Sequence, residues 1–369
     1  MRNFIFSVSM AFLIAGCSSD ADKTAADGGK AMSPAARAQA AASADAINRI
    51  NSAPMETIAP VPVPADGASA KADAPPNLFA IRAEALLARA RFSPGVVDGQ
   101  FGSNLKNAIA AYQTARNLTA SGTIDAQTWQ ALLAEPGSSQ PVARGYTITH
   151  IDAAGPYVVS GDDDLVALAA LPGGPQFASL AEALAERFHM SQALLLALNR
   201  GVNFNAAGAS IVVIDAAPTA FAKGEVVRVE IAKSDSSLLA YNQTGKLIAF
   251  YPATVGASDR PSPSGTHKVL GVGWNPDYTY DPAKLTWGPR SAGKLVIKPG
   301  PNNPVGTVWI DLNAPSYGLH GTPDPDKIGK TASHGCVRLT NWDAAALATG
   351  IKNGAVVRFI GQRGKQSSR

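Results

Sequence analysis

The sequence predicts a multi-domain α+β chain with three folded units: a small three-helix domain, a small mixed α/β module, and a C-terminal domain of the β-sandwich or barrel type. Three observations predict this. Apolar residues recur at helical spacing between residues 77 and 134, helices lead into a late strand between 144 and 216, and from 225 to 361 short strand-like runs alternate with Gly- and Pro-rich connections around a single helix. At 369 residues the chain is also long for one hydrophobic core.

The N-terminus reads as a targeting segment. Arg2 precedes the apolar run Phe4 to Ile14, then Ala15-Gly16-Cys17. Such a run suits a signal peptide and is too short to span a bilayer. The string Leu13-Ile14-Ala15-Gly16-Cys17 resembles a bacterial lipoprotein signal, which implies a signal peptide over 1–16 and a lipid-modified Cys17. Ser18 rather than Asp follows the cysteine, a pattern that in Gram-negative lipoproteins implies sorting to the outer membrane. Residues 17–76 are rich in Ala and contain Pro60, Pro62, Pro64, Pro75 and Pro76. Their small, sparse apolar side chains predict a disordered tether, with a weak helical pattern over Ser33 to Ile50. A flexible tether of that length reaches roughly 40 Å.

In 77–134, Leu105, Ala108, Ile109 and Tyr112 fall on one helical face, with Ser103 as the expected cap. Trp129, Leu132 and Leu133 repeat the stripe behind Asp125. The segments Gly95-Val96-Val97-Asp98-Gly99-Gln100 and Gly122-Thr123-Ile124-Asp125-Ala126-Gln127 echo one another. This unit resembles the three-helix peptidoglycan-binding domain, with its aromatic residues expected in the core.

In 144–216, Ser179-Leu180-Ala181-Glu182 reads as a capping box opening one helix, Ser191 opens a second, and Ile211 to Ile214 reads as a strand. The order resembles a degenerate LysM carbohydrate-binding module. Its first strand, expected near Tyr146 to Thr149, comes about 30 residues too early for that pattern. From Glu225 onward strands dominate: Val227 to Ile231, Leu238 to Tyr241, Lys246 to Thr254, Leu295 to Ile297, Val308 to Leu312 and Val356 to Ile360. A helix is expected over Trp342 to Thr349, and residues 362–369 form a basic tail.

The formal net charge is +4, and Arg363, Lys365 and Arg369 in that tail supply three of the positive charges. A near-neutral body with a short basic tail carries no nucleic-acid footprint. The chain has two cysteines, Cys17 and Cys336. If Cys17 carries lipid, Cys336 is an unpaired thiol in an oxidising compartment, which points to chemistry rather than packing.

The surroundings of Cys336 supply that chemistry. Tyr317-Gly318-Leu319-His320-Gly321 is followed by Thr331-Ala332-Ser333-His334-Gly335-Cys336-Val337-Arg338. A cysteine acyl transferase needs a thiolate, a base, N–H donors for an oxyanion and a substrate clamp. A free thiol of pKa near 8.5 is only about 3% ionised at pH 7. His320 and His334 are the candidate bases, one of which could hold the thiolate as an ion pair. The N–H groups around Gly335 and Cys336 are candidate oxyanion donors, and Arg338 could clamp a carboxylate. His320, His334 and Cys336 could instead form a three-ligand zinc set, but no His-Glu-x-x-His helix accompanies them.

Across 225–361 the sequence closely resembles the L,D-transpeptidase catalytic domain. His320-Gly321 and Ser333-His334-Gly335-Cys336-x-Arg338 carry the likeness, with Pro263-Ser264-Gly265 and Pro299-Gly300-Pro301-Asn302-Asn303-Pro304 in support. The resemblance implies Cys336 as nucleophile, His320 as general base and acid, and the Gly321 carbonyl orienting the imidazole. It places Ser333, His334, Gly335 and Arg338 around the donor substrate. It also implies attack on a cell-wall tetrapeptide stem, release of D-Ala, and cross-linking to a second stem with no metal or cofactor. With water as acceptor the same thioester chemistry would trim stems or cleave cross-links, and with a protein lysine it would attach a protein to the wall. The partners expected are peptidoglycan stems and glycan, with a lipid anchor, in the periplasm; the oligomeric state stays open.

Overall fold

The computed structural model describes residues 33–56, 75–159, 164–257, 260–285, 288–333 and 335–361. Cys17, His334 and the basic tail lie outside them.

The first helix, α1 (Pro34–Asn51), forms where the sequence carries its weak helical pattern and takes those residues out of the expected tether, of which 57–74 lie outside the described residues. Ser33 caps it, its Oγ accepting from the Ala36 N–H at 3.2 Å, and Pro34 occupies the first turn. Alanine-rich sequence has high helix propensity, and tertiary burial does the rest. Ile50 is fully buried, and Asn51 accepts from the N–H groups of Val142 and Ala143.

Three helices follow: α2 (Leu78–Arg89), α3 (Ser103–Ala115) and α4 (Ala126–Leu133). The predicted stripe of Leu105, Ala108, Ile109 and Tyr112 is buried, and Phe79 stacks edge-on against Trp129 at 5.0 Å. Asp125 caps α4 as expected. Ser103 does not cap α3: Gly102 holds that position with no side-chain bond, because Ser103 is already the first helical residue.

The middle module pairs β1 (Ala143–Thr147) with β2 (Ser210–Ile214), antiparallel. Between them lie α5 (His150–Ala154), α6 (Leu165–Ala169), α7 (Leu180–Arg187) and α8 (Gln192–Leu198). The extra residues of the early strand hold α5 and α6. Only half of the predicted capping box forms: Ser179 Oγ accepts from the Glu182 N–H, but the Glu182 carboxylate accepts from Ala178 N–H instead. A complete box occurs at Thr149 and Asp152.

The C-terminal domain is a single eight-stranded mixed sheet that curls on itself, within the sandwich or barrel type expected of it. Its strands are β3 (Val226–Ala232), β4 (Ser237–Tyr241), β5 (Leu247–Pro252), β6 (Gly265–Trp274), β9 (Val308–Leu312), β10 (Gly318–His320), β11 (Val337–Arg338) and β12 (Ile351–Ile360), with α9 (Asn341–Gly350) packed against β9 and β10. A small hairpin, β7 (Tyr278–Tyr280) and β8 (Leu295–Ile297), stands apart. The order is β11-β10-β9-β6-β12-β3-β4-β5, parallel at β10–β11 and β12–β3. A bulge in β6 between Val269 and Gly271 lets its first half pair with β12 and its second with β9. The sheet curls until its edges meet: Thr254, just beyond β5, exchanges two 2.9 Å backbone bonds with Arg338 on β11. That closure removes the open edge and brings the motif strands beside the chain that follows β5.

The units are not strung on loose linkers. On β4 and β5, Leu238 and Tyr251 face the sheet's own core, while Leu239 and Phe250 join a core shared with α1–α4 and the middle module. Residues buried on both faces explain why these strands show no polar alternation. Ser93 N–H donates to Phe250 C=O at 2.9 Å, and Phe92 meets Tyr112 edge-on at 5.4 Å. Ser93 Oγ also donates to the buried carboxylate of Asp343 on α9.

Candidate active site

The motif residues come together because β10 and β11 run side by side in parallel register, Leu319 opposite Val337 and His320 opposite Arg338. Side chains alternate along a strand, so Leu319 and Val337 enter the core, and His320, Arg338 and Cys336 share the other face. Trp309 on β9 lies opposite His320, its ring stacked on the imidazole at 5.4 Å.

His320 is buried. Its Nδ1 lies 2.6 Å from the Gly321 carbonyl, the arrangement the resemblance implies. With Nδ1–H donating there, Nε2 is the basic nitrogen. Burial first, and then the Arg338 charge, hold the imidazole's pKa down to about 3 against the support of the Gly321 and Val305 carbonyls. Cys336 is a free, half-buried thiol whose S–H points at the Ser316 carbonyl, 3.7 Å away. Burial pushes the thiol's pKa up, partly offset by the Gly318 N–H and by Arg338. Both shifts favour the uncharged forms, a neutral thiol and a neutral imidazole on one face of the sheet, over the thiolate–imidazolium pair that one of the two candidate histidines could form.

The turn that presents Cys336 is held from both sides. Gly335 sits at φ +123, a region closed to side chains, and a Cβ there would come within 2.9 Å of the Tyr317 ring. Ser333 Oγ donates to the Cys336 carbonyl at 2.5 Å and accepts from the Gly335 N–H at 3.1 Å. Ser262 Oγ donates to the Gly335 carbonyl at 2.6 Å while accepting from Gly256 N–H. The Ser333 hydroxyl orients the turn, and the Gly335 N–H, one of the candidate oxyanion donors, is already committed to it. Arg338 is half-buried, and among the described residues no carboxylate forms an ion pair with it. His334, and with it the three-ligand zinc set, lies outside the described residues.

Sequence reasoning missed several neighbours. Ser262 precedes the quoted Pro263-Ser264-Gly265 run by one position. Trp309 looked like an ordinary strand residue. Tyr278 on β7 lies close enough to Cys336 that burial and the thiolate charge together raise its phenol pKa. Asn303, quoted only as part of a matching run, is fully buried; it donates to the Lys298 carbonyl and accepts from Val305 N–H, so it shapes the loop whose Val305 carbonyl faces His320.

Residues 226–358 match the model of the L,D-transpeptidase catalytic domain, and residues 81–132 match that described as "Putative peptidoglycan binding domain". The chain is 30% identical over 182 residues to the "Putative L,D-transpeptidase YkuD" of Bacillus licheniformis, covering 48% of this chain and 90% of that protein. It is 31% identical over 140 residues to the "Probable L,D-transpeptidase YbiS" of Escherichia coli K12, covering 36% and 44%. Among solved structures, L,D-transpeptidase 3 of Mycobacterium tuberculosis aligns with a TM-score of 0.31 at 15% identity, over 41% of this chain and 68% of that one.

Proposed function

The chain belongs to the L,D-transpeptidase family, and from that premise we propose how its own residues carry out cross-linking of peptidoglycan. The observation that carries the reading is the shared face of β10 and β11, which presents together a thiol, a base and a guanidinium with no ion-pair partner among the described residues. Arg338 holds a carboxylate of the donor stem. As the Cys336 sulfur attacks the carbonyl of the third residue of a tetrapeptide stem, His320 Nε2 takes the thiol proton. The C–N bond to D-Ala then breaks, and the imidazolium returns the proton to the departing amine, leaving a thioester. A side-chain amine of a second stem attacks the thioester, loses its proton to His320, and restores the thiol. General-base transfer during attack suits the neutral resting pair. Trp309 stacked on the ring and the Gly321 carbonyl on Nδ1 keep Nε2 in one orientation.

Incubating the enzyme with purified tetrapeptide muropeptides and resolving the products by mass spectrometry tests this. Cross-linked dimers lacking one D-Ala are expected, and none with Cys336→Ala. Tripeptides alone would mean that water is the acceptor.

The N-terminal half suits wall engagement in the periplasm. Residues 81–132 would contact peptidoglycan, and a lipid on Cys17 would hold the protein to the outer membrane, as the Arg2, Phe4 to Ile14 and Cys17 pattern suggests. Cys17→Ala should release the protein from membranes without changing turnover. Detergent-phase partitioning of that variant would count against the anchor.

A further inference from the structure

Helix α7 of the middle module carries two carboxylates one turn apart, and both reach into the C-terminal domain. Glu182 Oε1 accepts from Asn302 Nδ2 at 2.8 Å. Glu186 Oε1 accepts from Asn341 Nδ2 at 2.9 Å. Asn341, the first residue of α9, is buried, and its side-chain amide has both hydrogens and its oxygen committed. Its other amide hydrogen goes to the Pro301 carbonyl at 3.2 Å, and its Oδ1 accepts from Thr307 N–H at 3.1 Å.

The location of that amide connects it to the catalytic imidazole. A Cβ on either Gly306 or Gly321 would collide with Asn341 Oδ1, so both backbones close directly onto it. Gly321 is the residue whose carbonyl holds His320 Nδ1. Gly306 follows Val305, whose carbonyl faces the same ring. The amide of Asn341 thus wedges the two backbone segments that grip the imidazole, and a carboxylate from another module fixes the wedge.

We propose that Glu186 is a positioning residue for His320, acting through Asn341, so that the middle module forms part of the catalytic apparatus. The proposal rests on His320 being the base. A buried amide with one N–H unpaired would turn to satisfy it, and Thr307 N–H and the Gly306–Gly321 contact would lose their fixed partner. The bond to a carboxylate is stronger than one between neutral groups. Burial and the neighbouring Glu182 raise the Glu186 pKa to about 7. Packing alone would be served better by an apolar side chain.

The full-length chain provides the test, with kcat and KM measured on a tetrapeptide donor and an amine acceptor. The fraction of intact sites is counted as Cys336 labelled with the donor thioester when no acceptor is present, read by intact-protein mass spectrometry. Glu186→Ala should lower kcat per labelled site by about 10- to 100-fold, the cost of misplacing a catalytic group by about 1 Å, with KM changed less than about twofold. Glu186→Gln keeps an acceptor oxygen in place and should restore kcat to within about threefold of wild type. Adding Glu186→Ala to Asn341→Ala should cost nothing further, because both act through one contact. Where alanine unfolds the chain, Glu186→Met removes the acceptor at similar volume and should show the same loss. Unchanged kcat per labelled site, equal loss in the Gln variant, or additive losses in the double variant would each overturn the proposal. Failure of wild type to turn over, or turnover by Cys336→Ala, would instead overturn the reading of the active site.

Discussion

Replacing His320 by Gln separates two mechanisms that predict opposite alkylation behaviour. If thiolate and imidazolium coexisted at rest, iodoacetamide would label Cys336 rapidly from about pH 5 upward, and the Gln variant would lose that reactivity. The structure argues otherwise. With the imidazole's pKa held near 3, only about one ring in ten thousand is protonated at pH 7. The thiol's pKa is raised by burial, so its ionised fraction at pH 7 falls below the roughly 3% of a free cysteine. Wild-type alkylation should therefore climb through pH 9 with no acid plateau, and His320→Gln should follow nearly the same curve. Turnover should behave differently, falling by about 10²- to 10⁴-fold with the base gone. The assay is the second-order alkylation rate from pH 5 to 10 for both proteins, beside transpeptidation at pH 7.5. A wild-type plateau between pH 5 and 7 that disappears in the variant would refute the neutral resting pair.

Three further outcomes follow from the packing. Gly335→Ala should leave the melting temperature within a few degrees yet strongly reduce kcat, because a side chain at φ +123 costs about 1–3 kcal/mol and pushes on Tyr317 beside the nucleophile; unchanged kcat would show the turn is tolerant. Phe92→Ala should destabilise the folded chain by about 3–5 kcal/mol, with the N-terminal helices and the sheet unfolding in one transition in urea; two separate transitions would mean the shared core does not couple them. Asp343 has its pKa raised to about 7 by burial, so its folded form favours the proton and stability declines as pH rises from the ordinary carboxylate range toward 7. Asp343→Asn should thus stabilise more at pH 8 than at pH 4, and equal effects at both would remove the carboxylate's titration as the cause.

What the sequence determined by itself was everything encoded by near neighbours along the chain. The spacing of Leu105, Ala108, Ile109 and Tyr112 specifies a helix face, Asp125 and Ser191 act on their own first turns, and the run from His320 to Arg338 carries the candidate nucleophile, base and clamp within nineteen residues. Tertiary structure alone decided who meets that face. Ser262, Trp309 and Tyr278 reach it by strand pairing and loop closure, and Glu186 reaches its supporting amide across 155 positions of sequence. The same holds for α1, where alanine propensity permitted a helix but burial of Ile50 made it part of the fold. Phe92 and Phe250 lie in separate units of the sequence, and the shared core that joins those units exists only in the folded chain. Local propensity acts through bonds and turns a few residues long, whereas burial selects partners by the apolar surface they remove from water, at any distance along the chain.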